Sequence, residues 1–507
     1  MSAPVAAIAT GAAGAGALAT GVARAGALAT SLPSAGTLAA GALAALVAIA
    51  ALALLMRRHA EAFPLLAVLA LPFRLPISAD ERTVNLLIPL YLVVAAGTIV
   101  QLLPRLLAPR QRRRPGGPSP RRLSFWTSPR GLQWLLFGAV ALYALQASYS
   151  ADRVKALENI AFFYVPFALL FVLLGQVRWT RALLLRCLAI AVALAVVFAG
   201  VGFVEYYRKS LFLNPKVVAA NQYDNYFRVN SVFFDPSIYG RFLALVMIAL
   251  ATVALWERNR RVVIAAAAAL AWLLAGLITS FSQSSIAALL LGLAVLAAWR
   301  WSVRWSLGVS AAVVALAGLV LALAPASLHF GLKGSSGSTN NATNGRASLI
   351  GGGLELFAER PLQGYGSGSF ETEYKRHSHA DAESATSASH TIPVTVAAEQ
   401  GVVGLAVYFA LLASAFAVLF RGAGRSPPRP KPGDARVALA SPFRPAIAAC
   451  FAALVLHTWT YADFLEDPFT WTLLALGVAL ARADPGDDAQ GPARDGAPEA
   501  SATASSF

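Results

Sequence analysis

The chain has 507 residues, of which 57% are hydrophobic and only 13% are charged, and its mean hydropathy is +0.62. Soluble globular proteins of this length do not have such a composition, whereas proteins with many membrane spans do. The net charge of +16 comes mainly from arginine, and in a membrane protein such an excess is typical of cytoplasmic loops. We therefore expect a lipid bilayer as a partner, and no nucleic acid.

Apolar stretches of about 20 residues predict the membrane spans. The stretch 62–76 is short and interrupted by prolines, so we expect an all-α polytopic protein with 12–13 transmembrane helices. The candidate spans are 36–56, 62–76, 84–104, 131–149, 157–176, 181–204, 236–256, 262–281, 284–299, 305–325, 391–420, 442–461 and 466–482.

The charged loops predict the orientation of these spans. The loop 105–130 contains eight arginines and no acidic residue, and five arginines and Lys431 in 421–444 are opposed by Asp434 alone. With thirteen spans, both loops fall on one side, which the positive-inside rule makes cytoplasmic. The loops 205–235 and 326–390 fall on the other side.

The predicted organisation has five segments. Low complexity in residues 1–35 gives no indication of function. A transmembrane bundle, a large external loop with short helices, C-terminal transmembrane helices and a disordered polar tail follow. Their predicted bounds are 36–325, 326–390, 391–482 and 483–507.

Three features on the external side carry the candidate chemistry. Arg228 lies shortly before the span that begins near Pro236, where a guanidinium can snorkel to lipid headgroups or bind two phosphate oxygens. Arg346 opens a stretch with helical spacing that Pro361 ends. The Gly364–Gly368 turn after it lacks the strand and the Gly-Lys-Ser/Thr of a phosphate loop.

The third feature is His390, at the start of the span that begins with Thr391. A histidine at the water–membrane boundary can accept a proton near neutral pH, although a single interfacial histidine commonly has no catalytic role. With His377 and His379 it gives a weak zinc signal. We expect His377 and His379 to be solvated, and we assign no metal.

Together these features resemble the superfamily of O-antigen ligases and O-antigen polymerases, which are bacterial membrane glycosyltransferases. The resemblance rests on RVNSVFFDPSIYGRFLAL, on LITSFSQSSIAALLLGL with Gln283 in place of a more usual Arg, and on the loop signature. In that signature an Arg opens a helix, a Pro-x-x-Gly-x-Gly turn follows, and a His begins the next span before Glu-x-Gly-x-x-Gly. The matching residues are Arg346, Pro361, Gly364, Gly366, His390, Glu399, Gly401 and Gly404.

The resemblance implies a GT-C-like helical bundle in the bacterial plasma membrane, with the catalytic loop on the external, periplasmic side. It implies transfer from an undecaprenyl-pyrophosphate-linked glycan to a glycan, lipid or protein acceptor, without a cofactor. Arg228 and Arg346 would hold the pyrophosphate and His390 would accept a proton. Gln283, Gly364, Tyr365 and Gly366 are candidate substrate-binding residues, whereas Glu399 and Pro361 are expected to be structural.

Two other classes of function stay open on the sequence. A flippase for lipid-linked glycans would place charges along a path through the bundle, whereas here the polar residues collect in external loops. A non-catalytic membrane assembly protein would leave the lipid-linked donor intact. The sequence does not decide between ligase and polymerase, or between acceptors.

Overall fold

The computed structural model describes residues 35–79, 82–107, 125–212, 227–301, 346–378, 391–421 and 435–482. The predicted span 305–325, His379 and His390 lie outside these residues. The chain forms two compact units, divided between Val100 and Gln101, within the predicted segment 36–325.

The described residues of the first unit form helices and one hairpin. Its described elements are α1 (Ala35–Arg58), α2 (Ala62–Ala70), β1 (Leu75–Ala79), β2 (Arg82–Leu86) and α3 (Ile88–Gly97). The strands pair antiparallel with Leu75 opposite Leu86, where the sequence predicted the end of one span at 76 and the start of the next at 84. Helix α2 rises about 14 Å, half the thickness of a bilayer core, so it is too short to cross the bilayer at the candidate span 62–76, which the sequence shows to be short and interrupted by prolines.

Helix α3 continues through a π-helical turn, Thr98–Leu102, into α4 (Leu103–Leu107). The second unit begins at Gln101 and includes α4. Its other helices are α5 (Pro129–Ala147), α6 (Arg153–Asn159), α7 (Val165–Leu174), α8 (Arg181–Arg208), α9 (Pro236–Trp256), α10 (Arg260–Thr279), α11 (Gln283–Arg300), α12 (Arg346–Glu359), α13 (Phe370–Ser378), α14 (Ile392–Leu419), α15 (Ala435–Thr460) and α16 (Pro468–Arg482).

The helix starts follow local sequence signals. Ser128, Asp235 and Ser282 each accept a backbone N–H of the following turn, at 3.0, 2.6 and 3.4 Å, which satisfies a donor that has no partner inside the helix. Pro129 and Pro236 directly follow such caps. At this position the N–H that proline lacks would have no partner within the helix.

Among the described residues, nine helices are long and apolar enough to cross a membrane, so the protein is an all-α polytopic membrane protein. Helix α5 and the shorter α16 coincide with two further predicted spans. In the second unit α9 and α15 are the most buried, because α9 packs on α8, α10, α11 and α15. A second group forms where α14 packs on α5 and α12.

Candidate functional site

A buried carboxylate shapes the segment that carries Arg228. Glu205, near the end of α8, is fully buried. Its Oε2 accepts the backbone N–H groups of Asn230 and Ser231 at 3.3 and 2.7 Å, and its Oε1 accepts that of Phe212 at 3.1 Å. Ser231 has φ +53°, a conformation that few residues other than glycine adopt. The carboxylate therefore holds the backbone in a turn beside Arg228.

Arg228 itself is attached to the turn between α10 and α11. Its Nε donates to the carbonyl of Ser280 at 3.3 Å, and the Val229 N–H donates to the carbonyl of Thr279 at 3.2 Å. Gln283 is the first residue of α11 and directly follows this turn, and its side chain is exposed. The structure thus brings Arg228 and Gln283 to one turn of the fold.

A buried ion pair fixes the turn between α15 and α16. The Arg241 guanidinium lies 2.8 Å from Asp467 Oδ2 and 3.9 Å from Asp463 Oδ2, and its Nη1 donates to the carbonyls of Ala462 and Asp463 at 3.3 and 3.4 Å. Arg241 and Asp467 are 2% and 0% exposed. Sequence analysis did not assign a role to either residue, although an arginine inside an apolar span is a signal in itself.

A cluster of polar side chains lies inside the bundle, near the end of α15. His457 of α15 is fully buried, and its Nε2 lies 3.3 Å from Ser284 Oγ and 3.2 Å from Ser285 Oγ of α11. Ser285 Oγ also lies 2.7 Å from Ser282 Oγ and donates to the carbonyl of Ser237 at 3.2 Å. These contacts join α15, α11 and the start of α9, and the sequence analysis missed them.

The glycine-rich turn packs on a kink in α14. At Gly401 the backbone takes φ +65° and ψ −164° inside the helix. The Tyr365 N–H donates to the carbonyl of Ala398 at 3.1 Å and the Gly366 N–H to that of Glu399 at 2.8 Å. A Cβ on Gly364 would lie 2.3 Å from the Glu399 carbonyl oxygen. The turn is therefore a backbone contact that a side chain would prevent.

Glu399 joins the turn to the next helix. Its side chain is buried, and its carboxylate accepts the backbone N–H groups of Gly368 at 2.8 Å and Phe370 at 3.1 Å. Phe370 is the first residue of α13, so Glu399 satisfies donors at a helix start from another helix. Pro361 is exposed, and its carbonyl accepts the Val402 N–H at 2.7 Å. These contacts attach the turn and the start of α13 to α14, and the structural roles of Glu399 and Pro361 stay a prediction.

The other side of the turn packs on the loop between α5 and α6. Ser150 Oγ donates to the Ser367 carbonyl at 2.7 Å, and Thr372 Oγ1 donates to Asp152 Oδ2 at 3.1 Å. One end of the second unit carries these contacts together with Arg228 and the turn 461–467. We call it the loop end. Asn159 Nδ2 connects its two parts by donating to Tyr143 Oη at 2.9 Å and to Glu466 Oε1 at 3.0 Å.

Helix α12 runs parallel to the first turns of α14. Gly353 lies against Val394, since a Cβ there would lie 2.5 Å from Val394 Cγ1. Pro361 lies against Val402, so both pairs are offset by 41 residues (394 − 353 and 402 − 361). Because the two helices are parallel, Arg346, the first residue of α12, lies at the same end of the pair as the beginning of α14. His390, outside the described residues, precedes Thr391 and that helix in the chain.

One face of α12 is buried. Leu349 and Leu356 pack against Phe370 and Tyr374, whereas Leu354 is 50% exposed. The helix ends at Glu359, just before Pro361, as predicted. It packs on α13 and α14.

A group of polar side chains lies at the C-terminal end of α12. The Tyr365 hydroxyl donates to the Glu359 carboxylate, which also lies 3.0 Å from His377 Nε2. The bond from Tyr365, followed by the charge of His377, lowers the pKa of Glu359, and burial raises the pKa of Tyr365 to about 12. His377 lies on α13 and its side chain is exposed, as expected for a solvated histidine. Tyr365 is 6% exposed, and direct substrate contacts of Gly364, Tyr365 and Gly366 stay a prediction.

Residues 268–409 match the model of a family described as O-antigen ligase. The match confirms the resemblance over this segment, which contains Gln283, Arg346, His390 and Glu399 but not Arg228. No curated protein sequence matches the chain. The matched segment supports an O-antigen ligase-like membrane glycosyltransferase function.

Proposed function

We propose that the protein transfers a glycan from an undecaprenyl-pyrophosphate-linked donor to an acceptor hydroxyl, at the external face of the bacterial plasma membrane. The observation that carries the proposal is the O-antigen ligase match over residues 268–409. The reaction forms a bond between the acceptor oxygen and the anomeric carbon. It breaks the bond from that carbon to the phosphate oxygen, and the lipid pyrophosphate leaves.

Arg228 and Arg346 are the proposed pyrophosphate ligands. Negative charge grows on the leaving pyrophosphate, and each positioned donor typically contributes about 10²–10³ in rate. The bond of Arg228 Nε to the Ser280 carbonyl supports this role, because it attaches the guanidinium to a buried turn. The parallel packing of α12 on α14 supports a common location for Arg346 and His390.

His390 is the proposed general base. It would take the proton of the acceptor hydroxyl, a step typically worth about 10²–10⁴ in rate. Gln283, beside Arg228 on the Ser280 turn, is the proposed additional contact to the donor. The bundle would be GT-C-like, and the large loop would lie on the periplasmic side, as the charge of the loops predicts.

The test uses the purified full chain with an undecaprenyl-pyrophosphate-linked glycan and a panel of glycan, lipid and protein acceptors. Release of lipid pyrophosphate is measured for the parent and for Arg228→Gln, Arg346→Gln and His390→Ala. We expect a loss of about a hundredfold or more in each variant. Arg376→Gln is the matched control, since this arginine also lies in the loop but its side chain is 67% exposed and pairs with Glu373.

Unchanged turnover in all three variants would overturn the site assignment. A donor that stays intact with every acceptor but crosses a liposome bilayer would replace the enzyme by a flippase. Donor that neither reacts nor crosses would favour a non-catalytic assembly protein.

A further inference from the structure

Four arginines converge at the beginning of α5, at the end of the second unit opposite to the loop end. Arg421 donates to the carbonyl of Thr127, and Arg444 Nη2 donates to the carbonyl of Arg421 at 2.8 Å. Arg482 Nη2 donates to Gln133 Oε1 at 2.8 Å, and Arg130 lies close enough to Arg482 to repel its guanidinium. We call Arg130, Arg421, Arg444 and Arg482 the arginine cluster.

The cluster adds positive charge where the backbone is already positive. The first turn of α5 contains no acidic residue, and a helix N-terminus carries about half a positive elementary charge. Arg130 lies in that turn, and the guanidinium of Arg482, at the last residue of α16, bonds beside it at Gln133. An anion bound between these groups would relieve their repulsion.

An apolar stripe extends from Arg130 along α5. Trp134, Phe137 and Leu145 are 63%, 65% and 68% exposed. Trp134 and Phe137 follow Arg130 by four and seven residues, which places all three on one face of the helix. The two rings meet edge to face with centroids 6.0 Å apart. Trp126, just before α5, is 57% exposed, and exposed tryptophan is typical of a membrane interface.

We propose that the arginine cluster and this stripe form a binding site for an anionic phospholipid. The phosphodiester oxygens would accept hydrogen bonds from Arg130 and Arg482, whose planar guanidinium groups suit bidentate binding. Arg421 and Arg444 add to the positive potential, and one acyl chain lies along Trp134 and Phe137. The stripe favours a lipid over a soluble phosphate, because a soluble phosphate would leave these rings uncovered. Basic sites between membrane helices commonly bind such headgroups.

The site is separate from the proposed catalytic residues. Gln146, near the other end of α5, donates to the Gln400 carbonyl at the kink of α14. The cluster and the glycine-rich turn thus lie at opposite ends of a helix about 28 Å long. The lipid site does not depend on the proposed glycosyl transfer, and its test needs no glycan donor.

The test measures lipids bound to the detergent-purified full chain by native mass spectrometry. Phosphatidylglycerol, phosphatidylethanolamine and soluble glycerol phosphate are titrated separately. The double variant Arg130→Gln/Arg482→Gln removes two exposed cations. We expect its affinity for phosphatidylglycerol to fall about tenfold or more, with an unchanged helical circular dichroism spectrum and melting temperature.

The double variant Arg260→Gln/Arg261→Gln is the matched control. It removes the same charge from the first turn of α10, which also precedes an exposed apolar residue, Ile264. This helix start differs from that of α5 because a carboxylate lies beside its arginines. The Glu257 carboxylate accepts the N–H groups of Arg258 and Asn259 at 2.8 and 3.1 Å. We expect less than a twofold change in this control.

Each component of the site has its own test. Trp134→Ala/Phe137→Ala is expected to weaken phosphatidylglycerol binding and to leave glycerol phosphate unaffected. An equal loss in the α10 control would overturn the site, because the effect would then be one of net charge. Equal binding of phosphatidylethanolamine would overturn the selection for an anionic lipid. Full competition by glycerol phosphate, with no effect of the ring variants, would replace the lipid by a soluble phosphate.

Discussion

The two parts of the loop end are held together in different ways. The glycine-rich turn is attached to α14 mainly through its backbone. Tyr365 and Gly366 donate to the carbonyls of Ala398 and Glu399, and the Gly368 N–H donates to the Glu399 carboxylate. The segment with Arg228 is attached mainly by buried polar side chains. Glu205 accepts two backbone N–H groups there, those of Asn230 and Ser231, and the Ser231 hydroxyl donates to the carbonyl of Phe198 at 2.8 Å.

This difference decides which changes each part tolerates. A backbone contact is lost when a Cβ is added, because the main chains can no longer approach. A contact made by a buried charge is lost when its partner is removed, because the remaining charge stays out of water. The glycine-rich turn should thus be sensitive to added volume, and the region around Arg228 and α9 to lost charge.

Removal of the Arg241 guanidinium is the largest expected effect. Arg241→Met leaves Asp467, 2.8 Å away and fully buried, without this cation. Breaking a buried pair from one side typically costs about 3–5 kcal/mol, so we expect a loss of this size in the free energy of unfolding in detergent. The control Arg241→Met/Asp467→Leu removes both charges and should recover most of the loss. A double variant no more stable than the single one would show that the ion pair is not the cause.

Addition of one methyl group to the turn is the second expected effect. A Cβ on Gly366, where φ is +95°, would lie 2.3 Å from the Cα of Ser150. Because the obstacle is backbone, we expect Gly366→Ala to cost about 2–3 kcal/mol. Gly351 lies in α12 with nothing within 4 Å of its Cβ position, so Gly351→Ala should stabilise by about 0.5–1 kcal/mol. Similar losses in both variants would contradict the contact-based explanation.

The same contrast explains what the sequence could predict. Apolar length predicted the spans because each depends on a local stretch of about 20 residues. Pro361 and the glycines of 364–368 predicted a helix end and a tight turn because their backbone limits are local too. The hairpin of β1 and β2 was missed, since a short run between two spans carries no periodic pattern strong enough to distinguish it from a loop.

The partners of the buried charges could not be predicted in this way. Arg241 forms an ion pair with Asp467, and His457 contacts Ser284, across long separations in the chain. Glu205, Arg241 and His457 are ionisable residues inside apolar spans, and this alone could have marked them as candidates for a role. The sequence does not show which helix supplies the partner of each, because that depends on the three-dimensional fold.

The smallest expected effect is one of pH on the end of α12. The hydrogen bond from Tyr365, the main cause, lowers the pKa of Glu359 below the usual value of a glutamate. A lowered carboxyl pKa stabilises the fold above the unfolded value, and this contribution disappears as the pH falls through the folded value. Hydrogen-exchange protection of residues 346–378 should therefore decrease below about pH 4.5 in the parent. It should decrease less in Tyr365→Phe, which keeps the ring and lacks the hydroxyl. Because His377 and Arg360 are present in both proteins, the difference between the two pH profiles isolates the bond between Tyr365 and Glu359, and identical profiles would exclude it.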